Sequence, residues 1–266
     1  MKQMNRIDKT FAGLKKAGKK ALITFVTAGD PSAEVTRQLV LEMERQGADL
    51  IELGIPFSDP IAEGPVIQRA NERALSAGFT LSAAFGLVRA LRQKTQVPLV
   101  FLMYYNHILH YGPDRFFTAC RDAGVDGVIL PDLPFEESGE IAPFTEQYGV
   151  YQISMVSPTS SEARLKAICG QAKGFLYCVS SMGVTGMRSS FGMDFDAMFR
   201  KLDRFTDTPK CLGFGISTPE HIQSLKHYCD GLIVGSALVN QVAEGGTGEE
   251  KVRRVGSLTR ALKAAF

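Results

Sequence analysis

The chain has 266 residues, 45% of them hydrophobic and 22% charged, and its 30 Lys plus Arg against 28 Asp plus Glu leave a formal charge of +2. This composition excludes a disordered or low-complexity chain, and so small a charge excess gives no electrostatic ground for a nucleic-acid or anionic-membrane partner. No apolar run approaches the ~18 residues of a membrane span, and the basic N-terminus lacks the apolar stretch of a secretory signal.

In chain order, Ile7, Phe11 and Leu14 come first, at helical spacing, and predict a short amphipathic helix packed on the domain. Eight short apolar runs follow, at 21–28, 49–55, 99–105, 127–131, 151–156, 174–180, 211–216 and 231–234. Each is too short for a buried helix, and Gly, Pro, Asp or Ser punctuates most of their ends. Helix-period segments alternate with them at 32–46, 66–77, 81–93, 114–123, 137–148, 161–172, 193–203 and 219–228. A last segment, 242–266, is interrupted by a Gly-rich stretch at 244–248. The strands are nearly continuously apolar, which suits a parallel sheet covered by helices. Eight strand–helix units in this length predict a closed (β/α)8 TIM barrel. It forms a single domain over residues 1–266 with an extra N-terminal helix. Gly47-Ala-Asp49 and Gly124-Val-Asp126 mark the same helix-to-strand turn twice.

Five cysteines, Cys120, Cys169, Cys178, Cys211 and Cys229, contain no C-x-x-C spacing. They read as small buried residues of a cytoplasmic protein rather than a disulfide frame or a zinc site. His107 and His110 have no Cys or carboxylate cluster beside them, so no metal site is expected.

A barrel carries its chemistry at the C-terminal ends of the strands. There the segment Glu52–Pro65 is richest in polar groups. Alternation puts Leu50, Glu52 and Gly54 on one face of the second strand and Ile51, Leu53 and Ile55 on the other, so Glu52 points into the barrel. Such a carboxylate is either satisfied by internal partners or kept as a proton carrier, and no Lys or Arg lies on the matching parts of the other strands. Glu63 lies eleven residues on, in a loop that Pro56, Pro60 and Pro65 stiffen. Glycine turns after the sixth, seventh and eighth strands (Gly183–Gly186, Gly213–Ser217 and Gly235-Ser236) offer backbone amides to an anion such as phosphate. Tyr177 shares a face with Phe175 and Val179 and needs a hydrogen-bond partner, for which Glu52 is a candidate. Phe25, Leu102, Ile129 and Phe214 stand near strand ends, where they line an apolar slot or are plain core.

The segment Glu52-Leu-Gly-Ile-Pro-Phe-Ser-Asp-Pro-Ile-Ala-Glu-Gly-Pro65 closely resembles the signature of the tryptophan synthase α subunit family. The likeness extends through FVTAGDP (25–31), MYYN (103–106), LPDLPFEE (130–137), VSSMGVTG (179–186), GFGIS (213–217) and VGSALV (234–239), in order along the chain. It implies a lyase that cleaves indole-3-glycerol phosphate by retro-aldol to indole and glyceraldehyde 3-phosphate in tryptophan biosynthesis. It also implies a β subunit partner in an α2β2 heterotetramer; pyridoxal phosphate belongs to that partner, and this chain needs no cofactor. Carried over by position, Glu52 and Glu63 match the catalytic carboxylates and Tyr177 the active-site tyrosine. Gly186, Gly215, Gly235 and Ser236 match phosphate-binding positions. Phe25, Leu102, Ile129 and Phe214 match the indole pocket. Thr185 matches the threonine of a loop that closes over substrate, and Asp59 and Pro60 match the loop facing the β subunit. Asp132 matches an aspartate that neighbours the site. One departure is Glu63, where Asp is more usual. Two other readings stay open. A ring-closing indole-glycerol-phosphate synthase would call for a catalytic Lys at a strand end, and none is found. A barrel kept as an allosteric or structural partner of the β subunit is the non-enzymatic alternative.

Overall fold

Every one of the eight apolar runs carries a parallel strand. The computed structural model describes residues 4–179, 194–213 and 215–266. Its elements in chain order begin with α1 (Arg6–Lys16), β1 (Ala21–Thr27), α2 (Ala33–Arg45), β2 (Leu50–Gly54), α3 (Pro65–Ser76), α4 (Leu81–Arg92) and β3 (Leu99–Leu102). They continue with α5 (Tyr105–Tyr111), α6 (Pro113–Ala123), β4 (Gly127–Ile129), a 3-10 turn (Phe135–Glu140), α7 (Ala142–Tyr148), β5 (Tyr151–Gln152) and β6 (Ser154–Val156). The remainder are α8 (Glu162–Gln171), β7 (Leu176–Val179), α9 (Phe195–Asp203), β8 (Lys210–Gly213), α10 (Pro219–Leu225), β9 (Gly231–Val234), α11 (Ser236–Ala243) and α12 (Gly248–Ala264).

The strands form one sheet in the order β5-β4-β3-β2-β1-β9-β8-β7-β6, all parallel. β5 and β6 are the two halves of the fifth run, parted at Ile153, so both ends of the sheet belong to one segment and the barrel closes through it. The Ile153 N–H still donates to the Val128 carbonyl at 2.9 Å, continuing the ladder across the break.

Alternation divides the apolar residues into two layers. Ile51, Leu53 and Ile55 of β2 join the large cluster between sheet and helices, while Leu50 joins an interior cluster with Ile23, Val100, Ile129, Ile153 and Phe175. α1 closes the bottom of the barrel: Ile7 and Phe11 belong to that interior cluster, and the Phe11 ring lies 5.8 Å from Phe175. The five cysteines are all buried and free. Among the described residues, no single helix is long and apolar enough to cross a membrane.

Local signals start most helices. Ser32, Thr80, Ser161 and Thr218 each accept a backbone N–H from the first turn that follows, and Thr247 forms a full capping box with Glu250. Three stretches differ from the sequence reading. Residues 103–105 leave the strand early and enter α5, whose capping group is remote: the Tyr105 N–H donates to both Asp132 carboxylate oxygens at 2.9 Å. The 137–148 segment is a 3-10 turn followed by α7, and α11 begins at Ser236 behind an N-cap glycine with no side-chain signal.

The bottom turns are fastened by a repeated aspartate. Asp49 accepts the Leu22 N–H at 2.7 Å, Asp126 the Leu99 N–H at 2.8 Å, and Asp230 the Lys210 N–H at 2.9 Å. Each tethers the start of its own strand to the neighbouring one.

Candidate active site

β2 brings Glu52 to the upper interior, in register with Phe25 of β1 on one side and Val100 of β3 on the other. With apolar neighbours and 1% exposure, its carboxyl is pushed up to about 8, burial being the cause. Among the described residues no cation answers it, and its Oε1 has no hydrogen-bond partner. Tyr177 on β7 is fully enclosed nearby; burial, and after it the Glu52 charge, pushes its phenol up. The Glu52 Oε1 does not take up the Tyr177 hydroxyl as a partner.

Above them lies a pocket of about 700 Å³ counting its open mouth. Glu52, Glu63 and Tyr177 stand on its wall with Phe25, Leu102, Gly215, Gly235 and Ser236. Nine of the sequence-derived candidates for catalysis, phosphate or indole lie within the described residues, with Asp132 and the partner loop set aside. Of these, Ile129 alone does not reach the wall; it is packed in the deeper interior cluster. Thr185, Gly186 and Phe214 lie outside the described residues.

Glu63 arrives on the loop that leads from β2 into α3. The Tyr104 hydroxyl accepts the Ala62 N–H at 3.0 Å, and the Gln68 amide donates to the Glu63 carbonyl at 2.9 Å. Gly64 and Pro65 then start α3, Pro65 losing no hydrogen bond at the first helical position. The Glu63 carboxylate is 6% exposed and accepts the Asn71 side-chain amide at 2.7 Å. Burial pushes it up to about 7, and the Asn71 bond opposes that rise.

Two glycines make room for the aromatic walls. A methyl group on Gly54 would sit 2.5 Å from Phe25 Cζ, and one on Gly213 would sit 2.6 Å from the Tyr177 hydroxyl. The apolar part of the pocket continues in the cluster of Phe25, Ile67, Ala70 and Val239, with Leu102 against it.

The opposite wall is polar through its backbone. Gly235, Ser236 and Ala237 open α11, whose first amides have no intrahelical acceptor and no side-chain cap. Gly215 and Ser217 face the same space. No Lys or Arg stands on the pocket wall among the described residues, so an anion there would be held by main-chain amides and the helix dipole. No group of three or more His, Cys, Asp or Glu among the described residues is arranged to hold a metal.

Asn71, Ile67 and Met155 escaped the sequence reading, whereas Ser217 closes the Gly213–Ser217 turn that it singled out. Asn71 had a usable signal: it is the one polar side chain in the buried stripe Ile67, Ala70, Asn71 and Ala74 of α3. On the far side of the loop, Asp59 is exposed and Pro60 half-buried, with Ile61 73% exposed beside them and Leu109 54% exposed on α5.

The family model for the tryptophan synthase alpha chain matches residues 11–266. A tryptophan synthase alpha chain of Thermoanaerobacter sp. (strain X514) is 48% identical over 260 residues, covering 98% of this chain and 99% of its own length. That of Alkaliphilus metalliredigens is 49% identical over 259 residues, covering 97% of each. A solved tryptophan synthase alpha subunit from Legionella pneumophila superposes with a TM-score of 0.88 at 38% identity, over 99% of this chain and 98% of that one. A chain of the tryptophan synthase α2β2 complex from Pyrococcus furiosus gives 0.81 at 35% identity, over 91% and 97%.

Proposed function

We infer the working of this cavity from one premise: the chain belongs to the tryptophan synthase alpha chain family. Its reaction is the retro-aldol cleavage of indole-3-glycerol phosphate to indole and glyceraldehyde 3-phosphate, a lyase step of tryptophan biosynthesis. The residue roles that follow are our proposal for how this chain performs it, with residues 1–266 acting as one domain.

Breaking the bond between the indole ring and the glycerol chain needs a proton on ring carbon C3, which leaves an indoleninium cation. It also needs loss of the proton from the adjoining side-chain hydroxyl, whose oxygen becomes the aldehyde oxygen as the bonding pair returns to the ring. Glu52 is suited to both transfers. At about 8 it is protonated at neutral pH and ready to donate. Having given its proton to C3 it can take the hydroxyl proton, ending in the state in which it began. Acid–base help of this kind is worth ~10²–10⁴ in rate.

Glu63, across the pocket, accepts the indole N–H and offsets the charge that develops on the ring, so it acts most strongly in the transition state. Phe25 and Leu102 hold the ring by contact, with Ile129 supporting them from the layer beneath. Tyr177 packs over the reacting end. The amides of Gly215, Gly235 and Ser236 hold the phosphate, and that binding free energy fixes the reacting end in place.

The chain pairs with a tryptophan synthase β subunit, and we propose that the loop carrying Asp59 and Pro60, with Ile61 and Leu109 exposed beside it, is the docking face. Pyridoxal phosphate then belongs to the β subunit; the pocket wall described here offers no lysine that could hold it as a Schiff base. The observation that carries the reading is the Glu52 carboxyl, enclosed at the pocket wall with no cation beside it among the described residues. Glu52→Gln is expected to end cleavage of indole-3-glycerol phosphate while leaving its binding intact. Substantial residual turnover would remove Glu52 from the central role.

A further inference from the structure

We propose that Asn71 is a positioning residue for the reaction: its amide holds one oxygen of Glu63 so that the other faces the indole N–H. The inference rests on the reading of Glu63 as the acceptor of that N–H.

Three observations converge on it. Asn71 is 2% exposed, and its Nδ2 donates to Glu63 Oε2 at 2.7 Å, the geometry of a hydrogen bond to a charged acceptor. Glu63 stands on the pocket wall whereas Asn71 does not, so the amide reaches substrate only through the carboxylate. With Oε2 engaged, Oε1 is the oxygen left to the pocket.

The helix that carries Asn71 is itself pinned. Two residues on, Arg73 forms a two-pronged pair with the buried Asp30 of the β1–α2 loop, at 2.8 and 2.6 Å. A flexible glutamate side chain has three torsions to fix, and a fixed amide eight residues along a pinned helix removes much of that freedom. The amide also supplies what the site lacks elsewhere. Among the described residues Glu63 has no cation beside it, and burial alone favours its neutral form, which cannot serve as a charged acceptor. A donor on Oε2 favours the carboxylate.

The role predicts a specific kinetic pattern. Replacing Asn71 with Ala should lower kcat for indole-3-glycerol phosphate at pH 7 about tenfold, the scale of one hydrogen bond to a charged group. KM should change less than about twofold, because ground-state contacts with the ring and phosphate remain. The acid limb of the rate profile should move to higher pH, so that raising the pH recovers part of the loss. Asn71→Asp keeps the shape and replaces the donor with a second acid; it should move the limb the same way and further, and it serves if the alanine variant fails to fold. In a Glu63→Gln background, Asn71→Ala should change kcat less than about twofold and move no limb.

The measurement is a double-mutant cycle on kcat, KM and the pH profile, with thermal melts on each variant. An equal loss from Asn71→Ala in both backgrounds, or a raised KM with an unmoved acid limb, overturns the proposal. Full activity of Glu63→Gln alone would instead overturn the reading of Glu63, so the two failures are distinct.

Discussion

The two ends of the barrel treat buried carboxylates in opposite ways. At the bottom, Asp126 is 3% exposed and meets Arg6 at 2.9 Å, Arg92 at 2.7 Å and the Leu99 amide at 2.8 Å. At the top, Glu52 and Glu63 are comparably enclosed and meet no cation among the described residues. Burial pushes all three up; at Asp126 the Arg92 and Arg6 charges oppose the rise, while the top two reach about 8 and about 7. A paired carboxylate fastens strands. An unpaired one can exchange a proton near neutrality, and that capacity is what the reaction uses.

Exchanging charge for its neutral isostere at each end gives the sharpest separation. Glu52→Gln should lower kcat by ~10²–10⁴ or more and leave the fold intact. Asp126→Asn should do the reverse. Removing one partner of a buried ion pair costs about 3–5 kcal/mol, while kcat, measured below the melting transition, stays within about twofold. Denaturant unfolding and steady-state turnover on both variants decide it; a large kcat loss in Asp126→Asn would erase the distinction between the ends. The bottom turns also supply an internal gradient. Asp49 and Asp230 make the same backbone bond with side chains 18% and 46% exposed, so their Asn variants should cost progressively less, toward ~1 kcal/mol for Asp230.

The difference between the ends explains what could be read from the chain. The interior direction of Glu52 follows from period-two alternation in a five-residue strand, which needs no tertiary knowledge. The repeated Gly-x-Asp turns at 47–49 and 124–126 were equally local. The Asn71 contact was not, because it depends on a loop folding back so that residues eight apart meet. The α5 start escaped for the same reason: its cap, Asp132, lies 27 residues downstream, and Tyr104 and Tyr105 favour a strand by propensity. Ile129 packs in the interior cluster rather than on the pocket wall, because a strand pattern fixes the face of a side chain but not its height in the barrel. The function of the glycine turns became specific only through resemblance; their spacing alone supported no more than an anion site.

Within the top end, Glu63 tests whether charge or mere polarity matters. Glu63→Asp keeps the charge on a side chain one methylene shorter, and its kcat should fall no more than about tenfold. Glu63→Asn removes the charge and should cost ~10²–10³, the scale of one preorganised electrostatic contact. Equal rates would show that charge at this position is unimportant. The two carboxyls also predict a narrow pH optimum. Glu63 must be ionised, which sets an acid limb of kcat/KM near 7, and Glu52 must be protonated, which sets an alkaline limb near 8. Glu63→Gln should flatten the first limb and leave the second.

The smallest effect, read one pH unit at a time, is on stability. Glu52 moves from 4.5 in the unfolded chain to about 8 when folded. Between those values the folded state holds a proton that the unfolded state has lost, so stability falls as pH rises. The contribution is complete below about 4.5 and is lost as pH climbs toward about 8, by at most roughly 1.4 kcal/mol per unit. Glutamine at position 52 binds no proton in either state and escapes this slope. Glu52→Gln should therefore gain on the parent chain with each step from pH 5 to pH 8, then hold a constant advantage. Urea melts of both proteins across that range would show the gap widening. A gap independent of pH would mean that Glu52 is solvated in the folded chain, and the contrast with Asp126 would then rest on geometry alone.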